Sequence, residues 1–187
     1  MCFYKTPLMQ HVTLKDKTFV PYITSDKILE SVKQMAKKIN ADLVDEMPLF
    51  LVVLNGSFMF AADLLKEVTI PCEISFIKLA SYHGTSSTGT VTEMIGLTEE
   101  IKGRTVVVVE DIVDTGITLE KLSILLTKKE VKQIKVATFL LKPEAYKKTI
   151  AVDYVGMEIP NDFVVGYGLD YDGLGRNMKE IYVLEQK

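Results

Sequence analysis

The chain has 187 residues, a length that suits one domain with a substantial core and leaves little room for two. Hydrophobic residues make up 48% of it and charged residues 25%, as in ordinary soluble globular proteins. The formal net charge of −3 argues against a general nucleic-acid binder, which needs a surplus of Lys and Arg.

The cysteines and the apolar runs point away from secretion and from membranes. Cys2 and Cys72 lie far apart and match no metal-binding spacing. Residues 1–11 contain no sustained apolar run of the kind that marks a signal peptide, and no stretch approaches the length of a membrane span. These features predict a soluble cytoplasmic protein with reduced thiols.

Helix-like and strand-like segments alternate along the chain. Residues 24–42 begin with Thr, Ser and Asp, which suit a helix N-cap, and continue with apolar residues at helical spacing: Ile28, Val32, Met35 and Ile39. The following segments read in order as strand, helix, strand, strand, helix and strand, at 49–57, 58–68, 72–81, 105–112, 118–131 and 133–141. Such alternation predicts the α/β class, with a mostly parallel, twisted sheet covered by helices on both faces.

Two regions depart from this alternation. Residues 82–94 are rich in Gly, Ser and Thr, and a long polar loop inside a compact domain is usually functional. Residues 154–159, 163–168 and 181–185 are short strand-like pieces separated by Pro and Gly, which predict a small antiparallel subdomain appended to the core.

One strand-to-helix stretch, VVVVEDIVDTGITLE, carries three carboxylates. The apolar run Val106–Val109 leads directly into Glu110 and Asp111, and Asp114 follows three residues later. Carboxylates near a helix start are often N-caps, but Glu110 and Asp111 come too early in the chain for that. A receiver-type acidic metal pocket is another alternative, although its acid pair should follow the first strand rather than the third or fourth.

The turn after these carboxylates, Asp114–Thr118, suits a phosphate. Its backbone N–H groups, the dipole of the helix beginning near Thr118 and the hydroxyls of Thr115 and Thr118 would all favour an anion. The chain contains neither the G-x-x-x-x-G-K-[ST] loop nor the G-x-G-x-x-G fingerprint. A sugar phosphate with a divalent cation reconciles the carboxylates with the phosphate, because the acids bind ribose hydroxyls and hydrated Mg²⁺.

The stretch VVVVEDIVDTGITL resembles the signature of the type I phosphoribosyltransferases, and its Glu-Asp opening is most similar to the hypoxanthine-guanine branch. VVLNGSFMFAADLL is similar to that family's pyrophosphate loop and following helix, and SYHGTSSTGTV to its mobile catalytic loop. FLLKPEA and VGMEIPNDFVVGYGLDYDGLGRNM resemble its purine-binding hood. The resemblance therefore covers most of the chain, with the motifs in the right order.

The resemblance implies a single domain over residues 1–187, with a core at roughly 20–145 and a hood formed by 146–187 plus the N-terminal segment. It also implies transfer of a phosphoribosyl group from phosphoribosyl pyrophosphate to N9 of a 6-oxopurine, hypoxanthine or guanine. The implied cofactor is Mg²⁺, for which Mn²⁺ substitutes. The implied assembly is a homodimer or homotetramer, without nucleic-acid or membrane partners.

For the sugar phosphate, the resemblance implies that Asp114 is the general base that takes a proton from N7 of the purine. Glu110 and Asp111 would bind the ribose hydroxyls, directly or through Mg²⁺. The 5′-phosphate would be held by the turn, that is by Asp114, Thr115, Gly116, Ile117 and Thr118.

For the base, the resemblance implies that Lys142 donates to O6, which favours 6-oxopurines over adenine. From the residues alone, a snorkelling lysine at a strand end is the favoured alternative. Phe163 would stack on the base, unless it is a core aromatic, and the Val164 backbone would read the purine edge. Asp170, beside the purine site, would be a Mg²⁺ ligand on the pyrophosphate side.

For pyrophosphate, the resemblance implies binding by the backbone of Leu54, Asn55 and Gly56, with a non-proline cis peptide between the first two. Arg176 would pair with pyrophosphate through its fork of donors, the alternative being a solvated surface charge. Asn55 departs from the family pattern, because many relatives carry a basic residue there. This departure places more of the charge neutralisation on Mg²⁺ and Arg176.

Ser81 and Tyr82 match the mobile loop, which would close over the reacting centre and exclude water. A second departure is Tyr146, which stands where some relatives place an arginine. A non-catalytic sensor of phosphoribosyl pyrophosphate on the same fold is the main alternative, but such proteins usually need a basic surface or an added domain. Lys142 and Phe163 argue against an orotate or adenine enzyme.

Overall fold

The computed structural model describes residues 10–80, 92–95, 97 and 100–186. The elements are, in chain order, β1 (Val12–Leu14), β2 (Lys17–Ile23), α1 (Ser25–Asp42), β3 (Leu49–Val53), α2 (Phe58–Glu67), β4 (Glu73–Ala80), β5 (Thr92–Ile95), β6 (Thr105–Val113), α3 (Ile117–Lys128), β7 (Gln133–Leu141), β8 (Tyr154–Glu158), β9 (Val164–Val165) and β10 (Ile181–Leu184).

The main sheet has six strands in the order β5-β4-β3-β6-β7-β8. All neighbours pair in parallel except β5, which is antiparallel to β4 at one edge. In β3, Phe50 and Val52 pack with α1 and α2, whereas Leu49 and Leu51 pack with α3 on the other face. The predicted α/β architecture, with helices on both faces of a mostly parallel sheet, is confirmed.

Helix α1 forms where its sequence pattern predicts it. The Thr24 hydroxyl accepts a hydrogen bond from the Lys27 N–H and caps the helix, and the four predicted apolar residues are buried against the sheet: Ile28, Val32, Met35 and Ile39. When a helix with such an apolar stripe forms, the stripe is buried against the sheet. This burial stabilises the helix far more than intrinsic helix propensity does.

Two strands differ from the sequence expectation. Tyr154–Glu158, expected in the antiparallel subdomain, pairs in parallel with β7 and forms an edge of the main sheet. Thr92–Ile95, expected mostly within the polar loop, forms β5. In both cases a short strand has the same local pattern whichever sheet it joins, so the partner strand decides its place.

Strand β6 is longer than the apolar run that predicts it. It continues to Val113, one residue beyond the predicted strand 105–112, so Glu110 and Asp111 lie inside the strand. Helix α3 begins at Ile117, one residue before the predicted start. The three residues Asp114–Gly116 therefore form the whole connection between strand and helix.

A second, four-stranded antiparallel sheet has the order β1-β2-β10-β9 and joins the N-terminal strands to the C-terminal ones. Phe19, Val165 and Tyr182 form its small core. The loop that follows β9 reaches the end of β3, since a Cβ on Gly168 would lie 1.9 Å from the Gly56 carbonyl oxygen. Within the described part of the chain, no helix combines the length and apolarity needed to cross a membrane.

Candidate active site

Two adjoining cavities lie at the carboxyl ends of the parallel strands, where α/β sheets usually bind ligands. The first is at the start of α3 and is lined by residues 110 and 112–119. The second lies between the ends of β3, β4 and β6, and is lined by Val53, Leu54, Gly56, Leu79, Glu110, Asp111, Ile112 and Thr118. Glu110, Ile112 and Thr118 line both, so the two cavities form one continuous site.

The first cavity is built around Gly116. This residue has φ 80°, and a Cβ on it would lie 2.4 Å from the Tyr146 ring, so only glycine fits. Gly116 has no side chain to cap α3, which leaves the first N–H groups of the helix facing the cavity. Thr115 and Thr118 are exposed beside them. The turn therefore presents hydrogen-bond donors at a helix N-terminus, an arrangement that suits a phosphate.

Glu110 is buried and Asp111 is partly buried where the two cavities adjoin. Burial raises the pKa of Asp111 to about 6. The N–H of Ile112, which donates to Oδ1 at 2.9 Å, and the charge of Arg176 both lower this pKa, but burial has the larger effect. Burial raises the pKa of Glu110 well above its ordinary value, and the neighbouring Asp111 charge adds to the effect. Both groups would be stabilised as anions by a nearby cation.

The carboxylates fit Mg²⁺ only as a partial ligand set. Among the described residues, no three Asp, Glu, His or Cys side chains converge closely enough to hold a metal by themselves. Mg²⁺ usually binds one or two carboxylates and completes its shell with waters and substrate phosphates. Glu110 and Asp111 are compatible with such a shared site.

Lys142 and Asp114 form an ion pair at the ends of β7 and β6, with 2.9 Å between Nζ and Oδ2. The Lys142 side chain is 9% exposed and that of Asp114 is 43% exposed. The Lys142 N–H also donates to the Val113 carbonyl at 2.9 Å. Lys142 is therefore not the snorkelling lysine that its local sequence favours, but a buried ammonium aimed at the site.

The loop after β3 approaches Asp111 closely. The peptide bond between Leu54 and Asn55 is cis, as predicted. A Cβ on Gly56 would lie 1.5 Å from Asp111 Oδ2, so the carboxylate occupies the space that any side chain would need. Ser57, buried at the start of α2, donates to the Val53 carbonyl and fixes the end of the loop.

Arg176 and Asp170 lie on the loop after β9. Arg176 Nη2 is 2.5 Å from Asp170 Oδ1, and Nη1 donates to the Gly168 carbonyl at 2.7 Å. Asp170 Oδ2 accepts from the Gly173 N–H at 2.7 Å. Arg176 is thus held within its loop and is not a freely solvated charge, and its field reaches Asp111.

Phe163 precedes β9 and is 43% exposed, which excludes the core-aromatic alternative. Its ring stands edge-on to Tyr171 with centroids 5.9 Å apart, and Lys17 Nζ lies 5.4 Å from its centroid. Val164, the next residue, is buried in β9. The sequence did not identify Lys17 or Tyr171 as residues beside Phe163, because no local pattern links residues so far apart in the chain.

Ser81 and Tyr82 lie outside the described residues. The remaining predicted site residues lie at or beside the two cavities or on the loop that follows β9, except Phe163 and Val164, which lie just before β9 and in it.

Comparison with known proteins identifies the class to which this fold and site belong. Residues 23–172 match the family model described as the phosphoribosyl transferase domain. The chain therefore belongs to the phosphoribosyl transferase family and is a transferase.

Individual relatives narrow the comparison. The hypoxanthine-guanine phosphoribosyltransferase of Streptococcus pneumoniae is 40% identical over 166 residues, which cover 88% of this chain and 92% of that protein. A hypoxanthine-guanine phosphoribosyltransferase structure from Bacillus anthracis, with HEPES in its active site, is 37% identical with a TM-score of 0.82, covering 88% of this chain and 98% of that one. The hypoxanthine phosphoribosyl transferase of Trypanosoma cruzi is 34% identical with a TM-score of 0.83, covering 93% and 95%. The predicted family and enzyme class are confirmed.

Proposed function

We propose that this enzyme transfers the phosphoribosyl group of 5-phosphoribosyl 1-pyrophosphate to N9 of hypoxanthine or guanine, giving the nucleoside monophosphate and pyrophosphate. The observation that carries the proposal is the pairing of Lys142 with Asp114 at 2.9 Å, beside the donor-rich turn of α3. A 6-oxopurine presents O6 and N7 on one edge. An ammonium donor and a carboxylate acceptor side by side match that edge, whereas the amino group of adenine would meet a donor.

In the proposed reaction, N9 of the purine forms a bond to C1′ of the ribose as the C1′ bond to pyrophosphate breaks. The N7 proton passes to the carboxylate of Asp114, which is half-exposed at the end of β6. Lys142 holds O6, and Phe163 covers the face of the base while the Val164 backbone reads its edge. The negative charge of the surrounding carboxylates stabilises the positive charge that develops at C1′.

The sugar and its phosphates are proposed to lie in the two cavities. The 5′-phosphate binds the Thr115–Thr118 turn, and the ribose hydroxyls bind Glu110 and Asp111. Pyrophosphate binds the Leu54–Gly56 backbone, with Arg176 opposite.

Bound Mg²⁺ would supply positive charge to the pyrophosphate oxygens through Glu110, Asp111 and Asp170. Asp170 would contribute its carboxylate to the ion from the loop after β9, where it also pairs with Arg176. Ser81 and Tyr82 remain predicted members of the closing loop.

The decisive experiment is an assay of the purified protein with phosphoribosyl pyrophosphate and Mg²⁺ against hypoxanthine, guanine, xanthine and adenine in turn. We expect turnover of at least one 6-oxopurine, little or none of adenine, and loss of activity in excess chelator. A preference for adenine would refute the assignment of Lys142. Binding of phosphoribosyl pyrophosphate without turnover of any base would favour the alternative, a non-catalytic sensor.

We propose in addition that the enzyme acts in the cytoplasm as a homodimer or homotetramer. An apolar area on the α2 side of the sheet supports self-association. Phe58 at the start of α2 and Ile74 and Phe76 in β4 are 44%, 46% and 45% exposed. Sedimentation velocity of the purified protein measures the assembly.

A further inference from the structure

Asp63 and Tyr167 connect the two sides of the proposed pyrophosphate site. The Tyr167 hydroxyl donates to Asp63 Oδ2 at 3.0 Å. Asp63 lies on α2, the helix that begins directly after the Leu54–Gly56 loop. Tyr167 lies on the segment that leads from β9 to Arg176. The sequence pattern singled out neither residue.

The backbone around Tyr167 is unusual for a residue with a large side chain. Gly166, Tyr167 and Gly168 have φ values of 98°, 51° and 100°. A bulky residue rarely adopts such a φ, because its Cβ clashes with the backbone. The contacts of the tyrosine side chain must therefore offset this conformational cost.

Those contacts bury Tyr167 almost completely, at 3% exposure. Its ring packs edge-on against Phe139 with centroids 5.1 Å apart, and its N–H donates to the Met178 carbonyl at 2.7 Å. Only the hydroxyl reaches a charged group, the Asp63 carboxylate, whose charge raises the pKa of Tyr167 in addition to the larger effect of burial. The ring anchors the segment, and the hydroxyl sets its position relative to α2.

The next residue, Gly168, contacts both groups that are proposed to bind pyrophosphate, the Leu54–Gly56 loop and Arg176. It contacts the Gly56 carbonyl, where a Cβ would lie at 1.9 Å, so the two backbones touch. Its carbonyl accepts from Arg176 Nη1 at 2.7 Å, and its N–H donates to the Arg176 carbonyl at 3.0 Å. A shift of Tyr167 would therefore move Arg176 away from the Gly56 loop.

We propose that Asp63 and Tyr167 are a positioning pair, which holds Arg176 and the Leu54–Gly56 loop at the separation that pyrophosphate requires. The pair touches neither substrate. This inference rests on the proposed function, and it adds two residues that determine affinity for the pyrophosphate end of the substrate and not for the purine.

Tyr167→Phe removes only the hydroxyl and tests the pair most directly. We expect the KM for phosphoribosyl pyrophosphate to rise about tenfold, because Arg176 and the Gly56 loop are no longer held at their proper separation, while the KM for hypoxanthine stays within about twofold. Calorimetric titration with pyrophosphate and Mg²⁺ should show the same loss of affinity. Asp63→Ala should behave like Tyr167→Phe, whereas Asp63→Asn retains an acceptor and should restore most of the affinity.

Two controls separate positioning from general stability. Tyr154→Phe removes a buried hydroxyl from β8, away from both loops, and Lys66→Met removes the exposed ion-pair partner of Asp63. Neither should alter pyrophosphate affinity. The positioning role would be refuted if Tyr167→Phe left pyrophosphate affinity unchanged. It would also be refuted if the variant lost affinity for both substrates equally and had a lowered Tm. A wild-type protein that neither turns over a purine nor binds pyrophosphate would instead overturn the proposed function, and the pair with it.

Discussion

At the residue scale, the ion pair between Lys142 and Asp114 joins an almost fully buried ammonium to a half-exposed carboxylate. A buried charge without a partner is strongly destabilising, so Asp114 contributes to the folded state as well as to the proposed chemistry. Its exposure leaves it accessible to a substrate proton. These two roles can be separated by substitutions that keep the shape of the side chain.

Asp114→Asn keeps the size of the side chain and an acceptor for Lys142, but it cannot take a proton from N7. We expect kcat to fall by about two orders of magnitude or more, within the 10²–10⁴ range of general base catalysis. Binding of phosphoribosyl pyrophosphate should persist, because the substitution removes a negative charge that repels the substrate's phosphate. Steady-state kinetics and a thermal melt measure both effects. A clearly lowered Tm with near-normal kcat would make Asp114 a structural residue only.

Lys142→Ala tests base recognition. Loss of a hydrogen bond from a charged donor costs on the order of 1.5–3 kcal/mol, so the KM for hypoxanthine should rise about ten- to a hundredfold. The KM for phosphoribosyl pyrophosphate should change much less, because only the base carries O6. Lys135→Ala, which removes an ammonium from a partly buried ion pair with Asp153 at the start of β7, is the control. Equal weakening of both substrates would exclude the O6 contact.

Asp111 should make stability depend on pH. Its folded pKa is raised from 3.8 to about 6, so the folded protein binds the proton more tightly than the unfolded chain does. This stabilisation is complete below about pH 4 and is lost as the pH rises through about 6. Urea unfolding should show Asp111→Asn gaining free energy of unfolding over wild type above pH 6, with the gain shrinking towards pH 4. A pH-independent gain at Asp111 would contradict the shift.

At the element scale, the site depends on the contact between the loop after β3 and the carboxyl end of β6. Strand β6 carries Asp111 to its carboxyl end, and the loop after β3 passes so close that Gly56 has no space for a side chain. Parallel pairing of β3 with β6 places these segments side by side, because both strands run towards the same edge of the sheet. The elements therefore fix the relation between the carboxylates and the proposed pyrophosphate loop.

Gly56→Ala should disrupt the contact between the loop after β3 and β6, since the new Cβ would lie 1.5 Å from Asp111 Oδ2. Either the buried carboxylate or the loop must move, and we expect the KM for phosphoribosyl pyrophosphate to rise about tenfold or more. Gly103→Ala is a matched control. Gly103 has a positive φ of 72°, which strains an alanine there, but no atom lies within 4 Å of the new Cβ, so only stability should fall. Normal kinetics in Gly56→Ala would show that the contact relaxes without consequence.

At the scale of the whole molecule, strands β1 and β2 complete the proposed purine side of the site. Three consecutive residues, the two of the β1–β2 turn and the first of β2, reach the C-terminal loop. Lys15 pairs with Asp172 at 2.9 Å, Asp16 accepts from the Tyr171 hydroxyl at 2.7 Å, and Lys17 Nζ lies 4.8 Å from the Tyr171 centroid. Both ends of the chain therefore position the Phe163 ring.

Lys17→Met should loosen that ring while retaining the aliphatic length of the side chain. A cation–π contact at an exposed site contributes about 0.5–1 kcal/mol, so the KM for hypoxanthine should rise about two- to fivefold at unchanged KM for phosphoribosyl pyrophosphate. Lys15→Met removes only an exposed ion pair and should have a smaller effect. Steady-state kinetics on both variants check this, and equal effects of the two would exclude a specific role for Lys17.

The sequence by itself determined what local patterns encode. The spacing of Ile28, Val32, Met35 and Ile39 specifies a helix with one buried face, because helical periodicity repeats within a few residues. The stretch from Val106 to Thr118 specifies a buried strand, its carboxylates and a donor-rich turn, because all of them are contiguous in the chain. These features also carry the family resemblance.

Only the tertiary structure decided which distant segments meet. An alternating apolar pattern states that a strand has a buried face but not which strand it pairs with, so β8 was expected in the wrong sheet. The Lys142–Asp114 ion pair, the passage of Gly168 over Gly56 and the Tyr167–Asp63 hydrogen bond join residues far apart in sequence. Such contacts depend on the packing of whole elements, and no periodicity in the chain encodes them.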